Sequence, residues 1–317
     1  MGFFIPILTM IAKSVITGIA VSKAISWLAP KPEIPEFQQD TQAQGVLVNK
    51  QSNNANIPVI YGTRKVGGVR IFLETSGTSN QYLYGAIVLC EGEINNITSI
   101  IVNDSPVTFS SSIANGTTIT SNDSKFGTTI QVQPFFGADD QVASSLLTTL
   151  SSWTSNHKLS GLCYIAFRIT WDNDKYTGIP SIQAIVQGRK ISTFDASSNE
   201  TTGQFSSNPA FCLLDYLTNT RFGKGIPIGD IDIPTFYSAS QVAVTQVTPF
   251  SGGSQINLFD CNAVLDTGQK LIDNTRTLLK GMRGFLPYTQ GKYKLIIETT
   301  GSSVLTLNED NIIGGIR

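Results

Sequence analysis

Between Gly45 and Asn103 the apolar residues stop recurring at helical intervals and crowd into short β-branched and aromatic runs. A change of period of this kind dictates a sheet. Ile57-Pro58-Val59-Ile60-Tyr61-Gly62, Lys65 to Leu73 and Tyr82 to Cys90 read as strands, with Gly67-Gly68 marking a bend or bulge. Ile94 to Val102 and Pro106 to Phe109 predict two more, and Ser110 to Ser124 is a polar loop or hairpin. Leu162 to Thr170, a nearly continuous apolar run, and Ile182 to Val186, bounded by Pro180 and Gly188, continue the extended pattern around a turn over Asp172 to Gly178. Between these strands, Asp139-Asp140 stands ahead of Val142, Leu146, Leu150 and Trp153. An acidic cap and one apolar stripe predict a helix laid on a sheet face.

The second half mixes helices with short strands. Asn208 is an N-cap residue followed by Pro209 at the first helical position, and Phe211, Leu213, Leu214 and Leu217 form the buried side. Gly223 and Gly225 follow as stop signals, and a short helix capped by Asp232 starts near Pro234. After a Ser/Gly-rich loop at Ser251 to Ser254, Asp266 or Thr267 caps a helix with Leu271, Ile272, Leu278, Leu279 and Met282 inward, ended by Gly284. Phe285 to Pro287 and Lys292 to Glu298 flank a hairpin turn at Gln290-Gly291. The fold class is therefore α+β, mainly β. Three parts are expected: an apolar arm over 1–35, a β-rich part over 36–200 with an inserted loop and helix region at about 105–160, and an α+β part over 201–317. The last apolar run, Asn311 to Ile316, carries no terminating signal and reads as a chain that continues.

The arm, Phe3 to Leu28, is closed by Pro30-Lys31-Pro32 and admits three readings. A signal peptide lacks support, because Met1-Gly2-Phe3-Phe4 carries no positive side chain and Trp27-Leu28-Ala29 is a poor cleavage site. A membrane span must hold Lys13 and Lys23, each costing about 2.5 to 3.5 kcal/mol near the bilayer centre. A helix packed on other protein copies fits best, with Phe3, Phe4, Ile16 and Trp27 as its contact residues. Its β-branched residues and Gly18 weaken the helix, so neighbouring chains must stabilise it.

Charge and chemistry exclude much. Only 14% of the residues are charged, against about 25% in an ordinary domain, and 22 basic side chains balance 23 acidic ones. No basic field grips nucleic-acid phosphates, and the expected partner is protein. Cys90, Cys163, Cys212 and Cys261 lie far apart beside apolar neighbours and read as buried free thiols made in a reducing cytoplasm. With a single histidine, His157, a triad is improbable, and His157 reads as a structural turn residue. The Gly223-Lys224 pair lacks the upstream glycine of a phosphate loop, and Asp172-Asn173-Asp174 departs from a calcium loop at Thr177 and Gln183. Asp230 with Asp232, and Glu91 with Glu93, are carboxylate pairs whose blander roles are turn capping and a solvated or interface edge. No catalytic, cofactor or metal site is expected.

Four blocks in fixed order resemble the J-type tail-tip proteins of lambda-like, long-tailed phages. The most specific is Asn208 to Tyr237, where Asn208 and Ala210 open an apolar helix, Arg221, Phe222, Gly223 and Gly225 form an Arg-aromatic-Gly-x-Gly turn, and Asp230 and Asp232 form an Asp-rich step. "LYGAIVLCEGEINNITSIIVNDSPV" is similar to the family's early strand, acidic-Gly turn and following strand. "HKLSGLCYIAFRITWD" with "IPSIQAIVQGRKI" resembles its paired strands ending in Gly-Arg, and "DCNAVLDTGQKLIDNTRTLLKGMRGFLPYTQGKYKLI" its Cys-Asn strand, helix and hairpin. The resemblance runs from about Asn56 to Arg317 and does not extend to the apolar arm.

The resemblance implies a multi-domain tail-hub architecture with β-barrel-like domains and a few packed helices. It implies a structural virion protein, a homotrimeric hub at the distal tip of a phage tail, assembled in the host cytoplasm. The hub would close the tail tube, anchor fibre or receptor-binding parts and open for DNA ejection, touching DNA only as it passes. Distal tail and tail-tube proteins are the implied partners, and the arm would line or plug the lumen. The alternatives are a membrane-active ejection component that contacts the host envelope through the arm, or a cell-wall hydrolase domain.

Overall fold

In the computed structural model of the chain the described residues are 55–299. The apolar arm with Phe3, Phe4, Ile16 and Trp27, and the run from Asn311 to Ile316, lie outside them. The chain opens with β1 (Val59–Tyr61), β2 (Thr63–Val66), β3 (Val69–Ser76), β4 (Tyr82–Glu91) and β5 (Ile94–Val102). The short β6 (Ser105–Pro106) and β7 (Ile119–Thr120) precede β8 (Ile130–Phe136), β9 (Leu162–Thr170), β10 (Ile182–Phe194) and β11 (Glu200–Phe205). Two helices follow, α1 (Pro209–Thr218) and α2 (Ile233–Ala243), and then β12 (Gln246–Val247), β13 (Ile256–Asn257) and β14 (Ala263–Leu265). The last elements are α3 (Leu271–Gly281), β15 (Gly284–Phe285), β16 (Tyr288–Thr289), β17 (Lys292–Tyr293) and β18 (Ile296–Ile297). The fold is α+β and mainly β, with sheet curled into a half-barrel.

Two five-stranded antiparallel sheets enclose the first core, one ordered β3-β4-β9-β8-β7, the other β11-β10-β5-β6 with β2 also on β10. Strand periodicity explains why β4 and β9 read as continuous apolar runs. Leu83, Ile87 and Leu89 of β4 and Ile165, Phe167 and Ile169 of β9 fill the space between the sheets. The alternate residues Tyr84, Ala86 and Val88, with Tyr164 and Ala166, face the other way into a smaller cluster with Leu147, Leu150 and Trp153. Strands covered on both faces need apolar residues at both parities.

That outer cover is where the predicted helix over 139–153 is corrected. No α-helix forms there; successive turns do, closed by Leu147 N to Ser144 O (3.2 Å), Leu150 N to Leu147 O (2.9 Å) and Trp153 N to Leu150 O (3.4 Å). The intervening Ser and Thr hydroxyls compete for the backbone, as when Ser144 Oγ accepts from Leu147 N and Thr149 Oγ1 donates to Leu146 O. Gln133 pins the start by accepting from Ser144 Oγ and Leu146 N. Turns of three residues still bring Leu147, Leu150 and Trp153 onto the sheet, while Val142, the first residue of the expected stripe, is 66% exposed.

The second core packs α1, α2 and α3 with the short strands around Phe211, Leu214, Tyr216, Phe236 and Met282. Its partition from the first is made of chain shared by both. In β1, Ile60 belongs to the first core and Val59 and Tyr61 to the second, and all three are fully buried. Its partner β14 divides likewise, Val264 to the first and Leu265 to the second. β10 sends Ile182, Ala184 and Val186 into the first core, and farther on Ile191 into the second. Each fully buried aliphatic side chain stabilises by about 1.5 to 3 kcal/mol, against roughly 0.5 to 1.5 for a ladder hydrogen bond, so two-sided burial holds β1 more than its pairing does.

The strand expected to stop before Gly188 instead runs through it to Phe194. Gly188 is there because β1 crosses close by: Gly188 N donates to Gly62 O at 2.7 Å, and a Cβ on Gly188 would stand 2.2 Å from Ile60 O. The other helix ends also shift. Asp232 and Lys270 precede α2 and α3 without side-chain caps, Leu271 and Ile272 stay partly exposed, and Gly284 begins a strand. Beyond Pro106 no strand continues, because Thr108 N is taken by Asp123 Oδ2.

Gly188→Ala is expected to destabilise the chain by about 3 kcal/mol, since the obstacle is backbone. Gly229→Ala, with nothing within 4 Å of its Cβ, should stay within about 0.5 kcal/mol. Urea unfolding of the two variants checks this.

Candidate functional site

Of the sequence motif, the residues from Asn208 to Gly225 gather by the junction of the two cores. Asn208 caps α1 by accepting from Ala210 N (3.1 Å) and donates to Ser240 O on α2 (3.0 Å), while Ala210 is fully buried. After α1 the chain turns back on itself. Gly223 lies so close that a Cβ would stand 1.9 Å from Tyr216 O, and Gly225 takes a left-handed φ of 68°. This turn presents Phe222 inward against Tyr216, with ring centroids 6.3 Å apart, and leaves Arg221 at the surface.

Two ion pairs flank that turn. Arg221 Nε meets Glu91 Oε1 at 2.5 Å and Nη2 meets Oε2 at 3.3 Å, a two-point grip that ties the turn to the end of β4. Deeper in, Arg189 of β10 donates through Nε to Asp215 Oδ2 at 3.1 Å and lays its guanidinium 5.0 Å from the centre of the Phe222 ring. Tyr61 of β1 donates its hydroxyl to the same Asp215 oxygen at 2.5 Å. One carboxylate on α1 thus holds β1, β10 and the motif turn together.

Burial sets the proton affinities. The Asp215 carboxyl is pushed above the ordinary aspartate range by desolvation, which outweighs the opposing pull of Arg189 and Tyr61. Glu91 is raised for the same first reason, against Arg221 and Arg189. The Tyr61 hydroxyl is raised by burial and then by Asp215, so it stays a donor. The Asp215–Arg189–Tyr61 group forms a latch, and at the Arg221–Glu91 pair lies an open cleft of about 530 Å³ lined also by Asn56, Ile57, Gln269 and Leu271 among others.

Other sequence candidates separate from this junction. Asp230 is exposed in a 3₁₀ turn, and Asp232 sits before α2 with Lys294 Nζ 3.9 Å from its carboxylate. Glu91 and Glu93 do not share a face: Gly92, at φ 83°, turns the chain between them, and Glu93 pairs outward with Lys190 at 2.5 Å. His157 Nδ1 accepts from Thr154 N at 2.9 Å, with its ring 5.0 Å from that of Trp153. Asp172 holds a turn through Asp174 N and Lys175. All four cysteines are free and buried. Among the described residues no three His, Cys, Asp or Glu side chains gather as a metal site.

Tyr61 and Asp215 were not singled out by sequence reasoning, and Arg189 entered only as the Arg of the Gly-Arg strand end. Asp215 did leave a signal, an acid set among the buried residues of "PAFCLLDYLT".

No protein-family profile matches the chain. It is similar to the baseplate hub protein pb3 of Escherichia phage T5, 25% identical over 315 aligned positions that cover 80% of this chain and 33% of the phage protein. The chain therefore spans about a third of the length of that relative. Among solved structures, a chain in the virion of a native gene transfer agent particle aligns with 84% of this chain and 58% of its own length, at 12% identity and a TM-score of 0.45.

Removing Arg189 leaves Asp215 buried without its cation. Arg189→Ala is expected to cost about 3 kcal/mol at pH 7 by urea unfolding. Arg189 lowers the Asp215 pKa, so its loss raises the folded-state value further above the unfolded one. A raised carboxyl contributes stability below its unfolded pKa and loses it as pH rises through the folded value. The deficit of the variant should accordingly shrink from pH 7 toward pH 4; a deficit that grows on acidification contradicts the assignment.

Proposed function

We propose that the chain is part of a structural hub in the baseplate of a phage tail. The single observation that carries this reading is its similarity to the T5 baseplate hub protein across 80% of its length. The fold is consistent with a scaffold: two cores clamped through shared strands, with the ionic groups of the junction committed to one another. No step of this role asks for a catalytic residue.

The finer reading follows the J-type tail-tip resemblance. The hub assembles as a homotrimer at the distal tip, closes the tube, and carries fibre or receptor-binding parts, with tail-tube and distal tail proteins as neighbours. On this reading the arm over Phe3 to Leu28 lines or plugs the lumen and moves when DNA is ejected. Assembly takes place in the host cytoplasm and the finished protein resides in the virion.

Immunogold labelling of purified particles with antibody against residues 55–299 tests the placement. Gold at the end of the tail opposite the head is expected. Gold on the head or along the tube, or no label on intact and detergent-opened particles alike, would remove the reading.

A further inference from the structure

No charged side chain occurs from Ile233 to Phe259, the longest charge-free run in the sequence. The later half of this run forms the β12–β13 hairpin, paired Gln246 to Asn257 and Val247 to Ile256 and extended by Leu258 N to Thr245 O at 2.9 Å. Antiparallel pairing puts Val247 with Ile256, and Leu258 two residues on, on one face of the ribbon. That face is open to solvent: Ile256 is 50% exposed, Leu258 40%, and Phe250 in the connecting loop 69%. A two-stranded ribbon has little stability of its own in water, and an apolar, charge-free finger of this kind has the composition of the centre of a protein interface.

The same chain carries a matching socket. At the free edge of β3, a cleft of about 480 Å³ has Leu73 and Leu83 at its base, against the first core, and the half-exposed Trp171 and Ile179 at its mouth. Several of its polar groups are committed: Glu74 accepts from the Ser152 hydroxyl, Asn80 Oδ1 from Thr75 Oγ1, and the Trp171 indole N–H is held by Asn173 Oδ1 at 2.7 Å. Two other open clefts among the described residues carry more charge: one holds Glu91 and Arg221, and another is ringed by Arg276, Lys280, Arg283 and Glu298, against the single Glu74 here.

We infer that Phe250 of one copy inserts into the Leu73–Leu83–Trp171–Ile179 cleft of the next. A finger and a socket at different places on one chain make a head-to-tail contact, which closes a ring when the rotation allows. The inference rests on the hub reading in that it requires copies side by side. It goes beyond that reading by naming the surfaces that join them.

Cross-linking between two single variants of the full chain tests it. Ser251→Cys, next to Phe250, and Ser79→Cys, on the cleft, both fall on exposed positions and keep Phe250 and the apolar lining in place, and the four native thiols are buried. The variants are mixed and oxidised with copper phenanthroline and dioxygen, which take the electrons of the two thiols. Disulfide-linked, dithiothreitol-sensitive dimer in the mixture is expected at least fivefold above either variant alone. Light scattering on the same samples separates the outcomes. An oligomer without mixed cross-link, or a monomer at every concentration, overturns the finger and socket, and the hub reading stands or falls separately on the labelling of particles. In whole particles, linkage of Ser251→Cys to a different protein would assign the finger to that protein and likewise overturn the pairing of copies.

Discussion

A buried carboxylate has to be neutralised, and the junction of this protein is organised around that requirement. Asp215 lies on the inner side of α1, where an unpaired charge would cost several kcal/mol. Arg189 supplies the countercharge and Tyr61 a hydroxyl proton, and each comes from a strand that both cores share. Phe222, under the Arg189 guanidinium, depends on the tight return of the chain at Gly223. A change at any of these positions therefore reaches both cores, although the groups touch only locally.

What could be read from the sequence follows from how local each signal is. β9 was legible to the residue, and α1 with its Asn208 cap and Pro209 start was legible for the same reason: pattern and punctuation lie within a few positions. The cover over 139–153 misled because its apolar spacing suits a helix, while its Ser and Thr hydroxyls favour turns and Gln133, on the strand just before it, holds Ser144 and Leu146. Gly188 looked like an end because glycine weakens strands, whereas here it admits a neighbouring backbone. The latch could not be read at all, since Tyr61 and Asp215 are 154 residues apart in sequence. Of the motif residues, those from Asn208 to Gly225 share one neighbourhood and Asp230 and Asp232 do not.

The scarcity of charge takes on structural meaning when divided between inside and outside. Within the junction, ionic groups are few and paired; outside, the β12–β13 hairpin presents apolar residues with no charge to keep it in water. Proteins that act alone rarely leave such a surface open. In the proposed hub both features would be useful, the paired junction holding the fold rigid and the apolar hairpin facing a neighbour.

The central claim is that shared strands and the Asp215 latch make the two cores one cooperative unit. All three described α-helices belong to the second core, while Trp153 and Trp171 lie with the five-stranded sheets. Urea unfolding of a Trp27→Phe chain, followed at once by helix circular dichroism and tryptophan fluorescence, therefore reports on the two sides separately. The account predicts coincident transitions with one midpoint. Loss of the helix signal at lower urea, with fluorescence unchanged, would contradict it.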